Sequence, residues 1–140
     1  MNKKNFIWCC IAAALLLSSG CKQQQYEKSV VGTWKVDSWY KNGDDQTTEF
    51  LVAFYHYQIT FHADGDFTEE YQTSIIIPIT ITITGTWEIT GKPGAFLFQL
   101  TDERQVRLFT IKKITKDTID IYRDLDGGNN EEFILEPVPE

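Results

Sequence analysis

The sequence predicts an all-β domain, an up-and-down antiparallel meander of seven or eight strands closing into a small β-barrel. Three observations carry that expectation. From Val31 onward, β-branched and aromatic residues alternate with Thr, Lys, Glu and Gln at a period of two, which marks strands with one buried and one wet face. Turn-forming pairs interrupt the alternation at short intervals, and no long stretch has a helical period. Closing a meander on itself also removes the strand edges that would otherwise pair with another chain. An open sandwich is the alternative arrangement.

The first strand is expected near 32–40, ending at Asn42-Gly43-Asp44. The segment Asp44 to Phe54 is open to three readings, a loop, a short helix or an early strand, because Phe50, Leu51 and Phe54 have helical spacing; in a barrel it lies near one mouth. The second strand, 54–62, places Tyr55, Tyr57, Ile59 and Phe61 on one face and His56, Gln58 and Thr60 on the other, and it stops at Asp64-Gly65. Strands at 66–77 and 79–90 follow with no strong turn between them. The chain bends or reverses near Pro78, which cannot donate to a ladder. In the second of these strands Ile79, Ile81, Ile83, Trp87 and Ile89 oppose Thr80, Thr82, Thr84, Thr86 and Glu88. Gly91-Lys92-Pro93-Gly94, Asp102-Glu103, Lys116-Asp117 and Asp126-Gly127-Gly128-Asn129 then delimit strands at 95–101, 105–115, 118–124 and 130–136.

A short echo runs through the pattern: Gly32-Thr33-Trp34-Lys35-Val36 recurs as Gly85-Thr86-Trp87-Glu88-Ile89. Glycine two before tryptophan lets another backbone come close while the indole covers the end of the core.

The amino end differs in kind. Lys3 and Lys4 lead into an uncharged stretch from Phe6 to Leu17. As a helix it would cover roughly 18 Å, short of the roughly 30 Å hydrocarbon core, so it suits a secretory h-region better than a permanent span. Ser18-Ser19-Gly20-Cys21 resembles the lipobox of bacterial lipoproteins, with Ser18 where an aliphatic residue is usual. Cys9 and Cys10 would leave with the leader, so the mature chain keeps Cys21 alone and cannot form an internal disulfide. The expected organisation is a cleaved signal peptide at 1–20, a lipidated Cys21 with a short polar tether to residue 30, and a barrel domain at 31–138. The lipobox resemblance implies an acylated cysteine and hence membrane anchoring. Lys22 follows the cysteine where an inner-membrane retention signal has Asp, which points to the outer membrane. Gln23-Gln24-Gln25 lacks the acidic cluster of surface export, which points to a periplasm-facing location in the cell envelope.

Without the leader, 13 Lys+Arg lose Lys3 and Lys4 while all 20 Asp+Glu remain, so the formal charge moves from −7 to −9. An acidic surface with no basic cluster repels phosphates and excludes nucleic acid as a partner.

Gly32-x-Trp34 on the first strand, Phe61-x-x-Asp64-Gly65 after the second, the central Gly85-x-Trp87, and the late Phe109-x-Ile111 and Ile119-x-Ile121 together resemble the lipocalin-like lipoproteins of Gram-negative bacteria. That resemblance implies a lipocalin-like barrel of the calycin type that binds a small apolar molecule inside. It also implies barrel-end packing of Trp34 beside an arginine of a late strand, Arg123 or Arg107. Tyr55, Tyr57 and Tyr71 are the leading candidates for a ligand site, because an inward phenol needs a partner that a pocket supplies. Ile81, Trp87, Phe98 and Phe109 join them, against a reading in which all of these simply fill the core.

Other chemistry is weak. His56 and His62 lie roughly 20 Å apart along one predicted strand, too far to share a metal. Asp124 to Glu132 concentrates oxygen ligands, but its spacing fails the EF-hand template and suits a solvated hairpin. No catalytic set, cofactor or metal site is expected; an envelope hydrolase would need a nucleophile and base assembled by the fold. The competing reading is a filled barrel acting as an interaction module, an inhibitor or assembly factor, whose loops 41–53 and 124–131 meet an envelope protein.

Overall fold

A computed structural model describes residues 20–139. The proposed leader, including Cys9 and Cys10, falls outside them apart from Gly20. Residues 20–30 are helical (α1). There follow β1 (Gly32–Lys41), the two-residue β2 (Asp44–Asp45), helix α2 (Thr47–Ala53), β3 (Tyr55–Phe61), β4 (Asp66–Gln72), β5 (Thr80–Lys92), β6 (Ala95–Asp102), β7 (Val106–Thr115), β8 (Thr118–Asp124) and β9 (Asn130–Pro137). Every pairing is antiparallel, and β9 returns to β1 along Trp34 to Lys41, closing an eight-stranded barrel with β2 as an extra edge strand. The expected meander is therefore a closed barrel of eight strands.

The short turns at Asp64-Gly65, Pro93-Gly94 and Lys116-Asp117 share one end of the barrel with the start of β1, and that end is shut. Phe61, Phe67, Phe98 and Ile119 are essentially fully buried there. Trp34 is 2 % exposed, and its indole N–H donates to the Val30 carbonyl at 2.7 Å. The longer connections 42–54, 73–79, 103–105 and 125–129 gather at the other end, which forms the mouth.

Residues 22–30, expected as a short polar tether, are instead helix packed on the shut end. Gln23 donates to the Ile89 carbonyl at 2.9 Å, Tyr26 meets Phe96 edge to face, and Val30 is wholly buried. These residues recur at helical spacing. The barrel supplies the apolar surface that an isolated eleven-residue helix lacks, and without such packing a helix this short is marginal in water.

Three further differences have local causes. The strand expected at 66–77 ends at Gln72, and the chain reverses over 73–79. There the Ser74 hydroxyl accepts the backbone N–H groups of Ile76 and Ile77, and Pro78 offers none. Ile75, Ile76 and Ile77 consequently leave the ladder and stand 67, 90 and 71 % exposed. A bulge in β3, with His56 at φ 56°, lets two residues of β3, His56 and Tyr57, face one of β4, Tyr71, between the pairs Tyr55–Gln72 and Gln58–Glu70. Parity breaks at that point, so Tyr55 turns to the outer face with Gln58 while Tyr57, Ile59 and Phe61 stay inside. The segment 44–54, open to three readings, contains a two-residue strand and a two-turn helix across the mouth.

Candidate functional site

Above the packed floor the barrel holds a cavity of about 470 Å³ that opens at the mouth. Ile59, Phe61, Leu100, Ile121 and Leu135 form its floor and lower wall. The lid is aromatic: Phe50 of α2 packs on Trp39, Phe54, Tyr57 and Phe133 with ring centroids 4.7 to 5.7 Å apart, and Phe54 meets Tyr71 edge to face at 5.0 Å. α2 is held there by Asp45, whose carboxylate accepts both the N–H and the hydroxyl of Thr47, while Thr47 Oγ1 accepts the Trp39 N–H.

Between floor and lid runs a belt of charged side chains. Arg107 donates to both oxygens of Glu69, at 2.8 Å from Nη2 and 3.4 Å from Nη1, and Tyr57 donates its hydroxyl to Glu69 at 2.8 Å. Asp102 stands beside them. Its Oδ1 accepts the backbone N–H groups of Arg104 and Gln105, but its buried Oδ2 has no hydrogen bond and lies 3.6 Å from Arg107 Nη2. On the other wall Arg123 pairs with Glu131, which also accepts from the Trp39 indole, and the Arg123 guanidinium lies over Phe109 at 5.0 Å.

Burial pushes the Tyr57 phenol well above its ordinary range, and the adjacent Glu69 carboxylate adds to the shift. Tyr57 is therefore a donor at physiological pH. Burial works against the Arg107 charge, yet the hydrogen bonds and charge of Glu69 outweigh it and leave the guanidinium more firmly protonated than usual.

Of the residues singled out from sequence, Tyr57, Tyr71 and Phe109 line this cavity. Ile81 shares the inner face, paired with Tyr71, but the wall is formed by Ile83, one inward position deeper. Trp87 and Phe98 lie beneath the floor, packed together with Phe61, where the Trp87 indole donates to the His62 carbonyl. Tyr55 is outside through the bulge.

Trp34 covers the shut end, but Arg123 is not beside it. β8 runs from the shut end to the mouth, so its late residue Arg123 pairs with Glu131, six positions and roughly 20 Å along β9 from Pro137, the partner of Trp34. Arg107 opens β7 at the mouth for the same reason. The Trp34 partner is the end of α1 instead.

The belt was missed in the sequence, although a signal for it exists. Glu69 sits between Phe67 and Tyr71 on the apolar parity of β4; Asp102 continues Phe96, Phe98 and Leu100; Arg107 precedes Phe109; Arg123 follows Ile119 and Ile121; and Glu131 precedes Phe133 and Leu135. A charge on the inward parity at the mouth end of a strand is a charge inside the barrel. Among the described residues, no three His, Cys, Asp or Glu side chains converge as a metal site.

Neither a curated protein nor a solved structure matches the chain. The closed barrel with one shut and one open end agrees with the family model for the lipocalin-like domain, which matches residues 30–121, well over half of the chain, and the protein belongs to that family.

Proposed function

We propose that this protein is a membrane-anchored lipoprotein of the cell envelope, facing the periplasm from the outer membrane, whose barrel binds a small hydrophobic molecule. The observation that carries the reading is the open cavity of about 470 Å³ with an aliphatic floor and an aromatic lid, within the range of small-molecule sites. The lipocalin-like family generally consists of non-enzymatic binding proteins, which supports binding over catalysis. A barrel acting only through its loops would have no need of that space.

Cys21 is exposed and lies two residues before Gln23, which is bonded to the shut end. Acylation there would set the shut end against the bilayer and turn the mouth toward the aqueous side.

Both halves have direct tests. A neutral naphthylamine dye should bind the purified protein with transfer from Trp39, and Ile83→Trp, which fills the cavity, should weaken it at least about tenfold, whereas Leu108→Trp on the outer face should not. Equal dye affinity in both variants would remove the cavity as the site. Cys21→Ser should move the protein from the membrane to the soluble fraction, and mass spectrometry of the native amino terminus should show acyl chains on Cys21; an unmodified thiol would end the anchoring reading.

A further inference from the structure

The buried charges of the cavity wall do not balance. Glu69, Asp102 and Glu131 face two partly buried guanidiniums, Arg107 and Arg123. Arg123 and Glu131 neutralise each other on one wall. On the opposite wall Arg107 is committed to Glu69 through both terminal nitrogens, leaving Asp102 with a side chain 4 % exposed and Oδ2 unpartnered. Arg104 also lines the cavity, but it is exposed at the rim, where water screens its charge. A buried carboxylate oxygen that has no hydrogen bond and shares its one nearby guanidinium, 3.6 Å away, with a second carboxylate is costly, and the groups that relieve it are cations and strong hydrogen-bond donors.

Resting on the reading of the barrel as a small-molecule binder, we infer that the bound molecule is an amphiphile with a protonated amine at its polar end, set against Asp102 and Glu69, with its apolar part on the floor beneath the aromatic lid. A carboxylate head, by contrast, would meet two carboxylates on the same wall. To take both terminal nitrogens of Arg107 it would have to break two hydrogen bonds to Glu69, which leaves the buried Nε as that guanidinium's one donor without a partner.

The test is displacement of the neutral naphthylamine dye from the purified full chain by octylamine, octanol and octanoate. These probes share a tail and differ only in the head. Octylamine should compete at a concentration at least about tenfold below the other two, as expected when one charge-assisted hydrogen bond is gained. In Asp102→Asn the side-chain oxygen still accepts the Arg104 and Gln105 amides while the charge is gone, and the preference for octylamine over octanol should shrink to about twofold. Glu69→Gln removes the same charge from a different strand and should do likewise, with thermal melts reporting whether each variant is folded. Equal competition by the three probes, a preference for octanoate, or an amine preference unchanged in both variants overturns the inference while leaving a binding barrel. Failure of the dye itself to bind overturns both.

Discussion

Gly85→Ala is expected to cost about 3 kcal/mol, more than an exposed strand position would, because a Cβ there has nowhere to go. It would lie 2.1 Å from the Thr101 carbonyl oxygen and 2.8 Å from Phe67 Cε1. The first contact is backbone of the next strand and cannot swing aside. Relief requires β5 and β6 to separate where Gly85 pairs with Asp102, which would also loosen the charged wall of the cavity. Gly94→Ala is the control. Its Cβ meets open space at φ +83°, so only backbone strain applies and about 1 kcal/mol is expected. Chemical denaturation of the two variants checks the pair; a Gly85→Ala cost no larger than that of Gly94→Ala would show that the strands can part freely. The echo of Gly32 and Gly85 thus has two physical meanings, since Gly85 needs an absent Cβ while Gly32, at φ +140° and with only Trp34 Nε1 at 3.9 Å, needs an unusual backbone.

Arg107→Met should destabilise the fold by about 3 kcal/mol, as loss of one partner of a buried ion pair does. It removes the cation shared by Glu69 and Asp102 and leaves two like charges on one low-dielectric wall. The double variant Glu69→Leu/Arg107→Met should recover more than half of that loss, because most of the cost comes from the abandoned charge and not from the value of the pair. A double variant as unstable as Arg107→Met alone would mean that Arg107 acts through packing on Phe67, whose ring lies 5.7 Å from its guanidinium carbon. The same substitutions bear on binding, so the pair that stabilises the empty barrel also shapes what enters it.

Most strands were legible because alternation is local. β6, β7, β8 and β9 fall within a residue or so of the expected limits, since each strand carries its own record of which side meets water. The helix 20–30 was not legible, because Lys22, Gln24, Gln25 and Lys28 make the segment read as polar and the side chains that fix it to the barrel, Gln23, Tyr26 and Val30, are scattered among them. The fate of Tyr55 was also hidden, since one positive φ at His56 reverses its face without leaving a compositional mark.

The amino-acid sequence alone determined the all-β class, the meander order and the inward parity of the strands as far as the bulges in β1, β3 and β7, including the inward parity of Glu69, Asp102 and Arg107. Only the tertiary structure decided that these three, from β4, β6 and β7, meet on one wall, and that Arg123 lies at the mouth far from Trp34. The division has a physical reason: side-chain alternation is a property of one strand's backbone. The level a residue occupies in the barrel depends on register, bulges and closure, which exist only between strands.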